Sequence, residues 1–331
     1  MFMNGRYLDL SPHELDERAD AAYEIYRSCR VCPHSCGVDR TTGETGYCEQ
    51  TDLLAVSSCV RHFGEETPLT GTQGVGNIFI TSCNMRCDYC QNYQISQLRD
   101  GAELSYSEVA DEMLKLQSSG VHYIGWVSPS HVVPGLLKSL ALARKRGLTI
   151  PIIYNTNAYD SLPTLKLLEG IIDIYLPDMK YADNAIGKRY SHVKNYVDCS
   201  REAVLEMFRQ VGHLTFDENG TAQSGTMIRH LVLPNGLAGT WETLCFIALE
   251  MSPKVPLSLM SQYHPVHRAV MDSAISRTIT EDEYGEAIRM AEELGFERLL
   301  VQHMDFKLHN LPDFRNRHDP FPMKKAFNQD F

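Results

Sequence analysis

The 331-residue sequence has no apolar run long enough to cross a membrane, and its start does not read as a signal peptide, because MFMNGRYLDLSPHELDERADAAYEIYRS carries acidic residues throughout. This predicts a cytoplasmic chain with no membrane partner. A basic surplus is also missing: 31 Lys and Arg stand against 42 Asp and Glu, a formal net charge of −11. Surfaces built for phosphate backbones carry the opposite bias, so nucleic acid is not an expected partner. Internal repeats and low-complexity tracts are absent too. Cysteine is nearly absent beyond residue 90, where only Cys199 and Cys245 occur.

What is present is therefore crowded. Eight of the ten cysteines fall at positions 29, 32, 36, 48, 59, 83, 87 and 90. In a chain of this size without an export signal, such crowding points to metal binding or redox chemistry rather than to disulfides. With 43% hydrophobic residues the chain can bury one large core with a small appendage.

Ser11-Pro12-His13-Glu14 combines an N-cap, a first-turn proline and a capping-box acid, which predicts a helix ending before Cys29. From Cys29 to about residue 75 apolar periodicity is poor and Cys, Gly and Thr abound, as in a small fold organised by metal. Beyond Gly76, short apolar runs alternate with helical stretches, which predicts βα units and a mainly parallel sheet. The predicted strands are Asn77 to Thr81, Tyr123 to Val127, Thr149 to Asn155, Ile172 to Leu176, Met227 to Leu233 and Pro256 to Ser261, with a seventh at Arg298 to Gln302. Capping boxes at Ser105/Glu108 and Thr280/Glu283 predict helices that stop at Gly120 and Gly295. The expected organisation is a helix and Cys-rich metal-binding module over 1–75, an α/β partial (β/α)6 barrel resembling a TIM barrel over 76–302, and a tail over 303–331 that wraps the barrel or one of its mouths.

Ser82-Cys83-Asn84-Met85-Arg86-Cys87-Asp88-Tyr89-Cys90 follows the first predicted barrel strand, so three thiols lie in the loop at its C-terminal end, where barrel active sites form. Three cysteines bind three irons of a [4Fe-4S] cluster and leave the fourth open, whereas a fully ligated electron carrier uses four. The competing reading is zinc with a fourth ligand from elsewhere. Zinc ribbons pair Cys-x2-Cys hooks, and the spacing here is three then two in a single loop.

This spacing, with Tyr89 before the last cysteine, resembles the signature of the radical S-adenosylmethionine (SAM) superfamily. More narrowly, the segments GNIFITSCNMRCDYCQNYQIS, YNTNAYDSL, DIYLPDMKY, RHLVLPNGLAGT and SQYHP resemble a branch related to pyruvate formate-lyase activating enzymes. The resemblance implies a TIM-like radical SAM barrel in which Cys83, Cys87 and Cys90 hold the cluster. The open iron chelates SAM, and reductive cleavage gives a 5′-deoxyadenosyl radical that abstracts hydrogen. It further implies SAM contacts from Tyr89, Ser128, Ser130, Asn155, Asp178 and Lys180, from Arg229 as the partner of the SAM carboxylate, and from His264 near the adenosyl group. The glycine-rich segment of activating enzymes is replaced by Trp126-Val127-Ser128-Pro129-Ser130-His131, a departure bearing on both the SAM contacts and a glycyl-radical substrate. Arg229 lies in an otherwise apolar strand and needs an anion, for which an internal Asp or Glu is the alternative.

Cys29, Cys32, Cys36 and Cys48 supply enough thiols for either a zinc ion or a second [4Fe-4S] cluster, with His34 as a substitute ligand. The expected substrate is a protein or peptide, with glycyl-radical enzyme activation as one version, and the expected reductant is a flavodoxin or ferredoxin. The competing function is a non-catalytic iron-sulfur or zinc protein that carries electrons or senses redox state.

Overall fold

Three helices begin where the sequence supplies the missing hydrogen-bond partners. Ser11, Ser105 and Thr280 each accept the backbone N–H of the residue three positions on, while Glu14, Glu108 and Glu283 accept the cap N–H in return. The helices so capped are Pro12–Glu24, Tyr106–Ser118 and Glu281–Glu293. Gly120 and Gly295 follow the last two at φ of 88° and 74°, left-handed values that glycine adopts without a Cβ clash. These features belong to a computed structural model that describes residues 4–304 and 311–321. Of the expected tail, residues 305–310 and 322–331 lie outside the described residues.

The strands are β1 (Leu54–His62), β2 (Val75–Ile80), β3 (Ala102–Leu104), β4 (Ile124–Val127), β5 (Ile152–Thr156), β6 (Ile174–Pro177), β7 (Thr215–Phe216), β8 (Ala222–Thr226), β9 (Ile228–Leu231), β10 (Leu257–Met260) and β11 (Leu299–Val301). The strands β2, β4, β5 and β6 pair in parallel in that order, and β9, β10 and β11 form a second parallel run. The two runs join because β8 continues into β9 past Met227. The lower part pairs with β6 through Ile174↔Gly225 and Tyr175↔Thr226, and the upper part through the Asp178↔Arg229 bridge. The seven parallel runs expected from the apolar pattern are present, with helices such as Val133–Lys145 and Tyr196–Val211 between them. This is the expected α/β partial barrel.

The structure adds what alternation did not reveal. The strand β1 pairs antiparallel with β2 from Val56↔Ile80 to His62↔Val75, and β3 pairs with β1. Residues 54–62 thus belong to the barrel's own sheet, although they precede the boundary expected at residue 75. Their signal is weak because LAVSSCVRH breaks alternation with Ser57-Ser58, where the register shifts between Val56 and Ser58. The β7–β8 hairpin was equally silent.

The described part of the tail crosses one end of the barrel. Phe314 is buried against Phe79 of β2, with ring centroids 5.2 Å apart, and its N–H donates to Gln94 Oε1 at 2.7 Å. The Phe321 ring lies tilted against His62 and Phe79, with centroids 4.3 and 5.5 Å away. Among the described residues no helix is long and apolar enough to cross a membrane.

Candidate active site

The C-terminal ends of the parallel strands surround a cavity of ≈ 230 Å³. Each strand contributes through the loop that leaves it: Cys83, Cys87, Tyr89 and Cys90 after β2, Ser128 after β4, Asn155 to Asn157 at the end of β5, Asp178 and Lys180 after β6, and Gln262 after β10. Arg229 enters from within β9, and Glu65 and Glu66 from the β1–β2 connection. Ser82 and Ser128 take φ of 62° and 58°, so both loops turn sharply as they leave their strands.

The three thiols are only partly exposed, and donors are aimed at their sulfurs. Met85 N–H and Asn157 Nδ2 donate to Cys83 Sγ at 3.3 and 3.4 Å. Ser191 Oγ donates to Cys87 Sγ at 2.9 Å, and Ser96 Oγ lies 3.2 Å from Cys90 Sγ. Burial pushes the Cys83 thiol up to about 12 and Cys87 up to about 11, and Cys90 rises for the same reason. A buried thiolate therefore requires nearby positive charge. Lys180 provides some, since Asp178 and Cys87 outweigh burial and hold its ammonium above the usual lysine value. Iron would provide the rest, and a donor set of three sulfurs ringed by N–H and O–H groups fits an iron-sulfur cluster. Among the described residues no three His, Cys, Asp or Glu side chains converge as the ligands of one metal ion do.

Tyr89 extends this arrangement. Its hydroxyl is 2.6 Å from that of Tyr181, which is 2.6 Å from Ser191 Oγ, so each hydroxyl can donate to the next until the chain ends at Cys87 Sγ. Sequence reasoning missed Tyr181 and Ser191. Tyr181 ends the DIYLPDMKY segment, but a serine in the helix Asn184–Ser191 carries no local signal.

A network of paired charges covers another wall. Arg229 Nε and NH2 donate to the two Glu66 oxygens, both at 2.9 Å, and NH2 also reaches Glu65. Asn77 Nδ2 donates to Glu65 Oε1 at 2.8 Å. Burial alone would raise the Glu65 carboxyl, but the Arg229 charge and the Asn77 hydrogen bond hold it below its usual value. This corrects the expectation that Arg229 receives the SAM carboxylate, because its planar fork is already filled by a carboxylate of the chain. Lys180 Nζ binds Asp178 Oδ2 at 2.7 Å, while Asp178 Oδ1 is buried without a partner.

Two other expected contacts need correction. Ser130 is 1% exposed, bonds Thr156 Oγ1 at 2.9 Å and lies behind the cavity wall. His264 is also absent from the cavity lining, where Gln262 and Gln302 stand instead. His131 is buried with Nε2 on Thr81 O at 3.1 Å, a structural role behind the cysteine loop. Tyr89, Ser128, Asn155, Asp178 and Lys180 do face the cavity.

A family model described as the radical SAM superfamily matches residues 77–235. The chain belongs to the radical SAM superfamily. Superfamily members are enzymes that cleave SAM at an iron-sulfur cluster, and the matched span runs from β2 to the turn after β9. An uncharacterized protein of Methanocaldococcus jannaschii is 31% identical over 298 residues, covering 87% of this chain and 81% of that relative. Among solved structures, a domain of pyruvate-formate lyase-activating enzyme from Bacteroides vulgatus is 15% identical, with TM-score 0.36, over 53% of this chain and 91% of that one. Streptococcus suis SuiB bound to precursor peptide SuiA is 13% identical, with TM-score 0.44, over 67% of this chain and 47% of that one.

Proposed function

We propose that Cys83, Cys87 and Cys90 hold a [4Fe-4S] cluster, that SAM binds beside it in the barrel cavity, and that the substrate is a protein or peptide. One electron supplied through the cluster, from a flavodoxin or ferredoxin, cleaves SAM to methionine and a 5′-deoxyadenosyl radical that takes hydrogen from the substrate. The chain's own residues do the rest. Asp178 Oδ1, buried at the cavity wall without a partner, is the acceptor for an N–H or O–H donor of SAM. Asn155 and Ser128 flank it as neutral polar contacts, and the charge pairs around them exclude loose water from the reacting centre.

The observation that carries the substrate class is charge balance. The cavity's two cationic residues, Arg229 and Lys180, are committed to Glu66, Glu65 and Asp178, and burial lowers the His62 imidazole so that it stays neutral. No uncommitted cation among the described lining residues awaits a phosphate or carboxylate. Toward the tail side the lining carries the amides of Gln91, Asn92, Gln262 and Gln302. Gln91 Nε2 donates to Gln262 O at 2.6 Å and Gln302 Nε2 to Gln262 Oε1 at 3.3 Å, a bonded row from which the Asn92 amide is able to meet both the N–H and the C=O of a peptide. Glycyl-radical activation is one form of this reading, with a glycine loop as the entering segment.

The test is isotopic. Reconstituted enzyme is given SAM, reductant and either the protein fraction or the small-molecule filtrate of cells grown on deuterated medium. Deuterium in 5′-deoxyadenosine from the protein fraction is expected. Label from the filtrate alone would overturn the peptide assignment, and absence of 5′-deoxyadenosine in every arm would overturn SAM cleavage itself.

A further inference from the structure

The N-terminal cysteines form a second assembly outside the barrel cavity. Cys29, Cys32 and Cys36 lie on one turn of chain, pinned by Gly37 N–H on Cys29 O and Ser35 N–H on Cys32 O, both at 3.0 Å. The segment carrying Cys48 is laid against them. A Cβ on Gly46 would sit 2.7 Å from Cys36 Cβ and Sγ, so only glycine allows this approach, and Tyr47 N–H then reaches Cys36 Sγ at 3.4 Å.

Every sulfur of the four has a donor. His34 N–H is directed at Cys32, Gln50 N–H at Cys48, Tyr47 N–H at Cys36, and the Arg40 side chain at Cys29. The first two come from the residue two positions after the cysteine. The barrel loop repeats this local structure, with Met85 N–H on Cys83 and Asn92 N–H on Cys90. A donor directed at each sulfur suits a thiolate, which only accepts, better than a thiol, whose sulfur accepts weakly.

Arg40 supplies an independent observation. It is 1% exposed, lies 4.1 Å over the Tyr26 ring, and donates to Thr51 O and His131 O at 2.9 and 2.7 Å. It has no carboxylate partner among the described residues, and the anion-forming groups facing it are Cys29, Cys48 and the Tyr26 phenol. Burying a guanidinium without a counter-ion is costly, and the cysteines facing it supply that counter-ion once a bound metal makes them thiolates.

We propose that Cys29, Cys32, Cys36 and Cys48 ligate a second [4Fe-4S] cluster, closed by four thiolates, with Arg40 as its built-in counter-ion. Iron-sulfur rather than zinc is assigned on the local structure the two sets share, an N–H from the residue two positions on directed at Cys32 and Cys48 as at Cys83 and Cys90. The two sets are neighbours. His34 stacks on Tyr47 with centroids 3.8 Å apart, His34 Nε2 is 2.8 Å from Asn84 O in the barrel loop, and Arg86 of that loop donates to Tyr47 O at 2.7 Å.

The test is independent of SAM chemistry. The Cys83→Ala/Cys87→Ala/Cys90→Ala variant is reconstituted without oxygen in iron and sulfide with equimolar zinc present. Iron and sulfide in equal amounts, about four of each per chain, with an EPR signal after reduction, are expected. Zinc without sulfide would overturn the cluster, and absence of both metals would overturn the site. If that variant does not fold, the full-length wild type serves instead. It should hold about eight irons, and Cys36→Ala, at an exposed position, should lower the count while the circular dichroism spectrum is unchanged. Iron unaffected by Cys36→Ala would overturn the four-cysteine assignment.

Discussion

Arg229 and Arg40 are both largely withdrawn from water, yet their surroundings are opposites. Arg229 is gripped by Glu65 and Glu66 at the cavity wall, so its charge is balanced by the polypeptide itself. Arg40 has backbone carbonyls, a tyrosine ring and two cysteines around it, so its balance depends on what those cysteines bind. The difference teaches how the two cysteine sets divide their tasks. Three thiols in a cavity whose cations are already paired leave room for a ligand. Four thiols with a dedicated cation close on themselves.

The widest separation between the two regions is catalytic. Cys87→Ala should abolish 5′-deoxyadenosine formation while the iron held by the N-terminal set remains, measured by product chromatography beside iron analysis. A variant that cleaves SAM at the wild-type rate would end the assignment of the barrel loop.

Stability should separate the two arginines next. Arg229→Leu leaves two buried carboxylates without their cation and should cost about 3–5 kcal/mol in chemical denaturation, whether or not metal is present. Arg40→Leu should behave differently. Its largest effect is expected in the metal-loaded protein, so the gap in stability between loaded and metal-free forms narrows. An Arg40 effect identical in both forms would erase the contrast drawn above.

Acid should expose a further difference between the cavity wall and the elements behind it. Burial pulls His131 down to about 3 and His230 down to about 4, so between those values and 6.5 the unfolded chain binds protons that the folded chain refuses. The stability these two contribute should be full above pH 6.5 and decline as pH falls toward 4, against an opposite contribution from Asp173, whose carboxyl burial raises to about 7. Glu65, held below its ordinary value, adds its own loss only below about pH 4.5. Replacing both histidines by Gln should make the decline above pH 4.5 shallower, with the partly buried His62 and His34 keeping part of it, and leave the lower limb in place, as read from denaturant midpoints across pH.

Sequence carried the barrel because its signals are local. Each parallel strand is a short apolar run, and three helices announce themselves through capping boxes whose hydrogen bonds are all present. The cysteine loop was legible for the same reason, since its three ligands lie within eight residues. Partners joined only by the fold were not legible. Glu65 and Glu66 sit in a stretch without periodicity, more than 160 residues from Arg229, so the anion facing that guanidinium was mistaken for a ligand's. His264 follows a real strand end, but direction along a loop is fixed by tertiary packing, which turns Gln262 into the cavity instead. The pairing of β1 with β2 was hidden by its irregular register.

The finest distinction concerns what surrounds the sulfurs. In the N-terminal set the donors are backbone N–H groups and an arginine, none of them a barrel side chain. In the barrel set one donor is a hydroxyl relay from Tyr89 through Tyr181 to Ser191. Ser191→Ala removes the last link to Cys87 and leaves the ligand itself in place. Outer partners of this kind typically alter metal affinity or activity by about 10- to 100-fold, and a weakened hydrogen bond to sulfur makes a cluster harder to reduce. We expect SAM cleavage to slow by about tenfold and the barrel cluster's potential to move negative, with the N-terminal iron count unchanged. Tyr181→Phe should do less, because Ser191 keeps its own bond to the sulfur and loses only the donor behind it. Equal effects from the two variants would mean that the relay acts through packing of the tyrosines rather than through the hydrogen bond at Cys87.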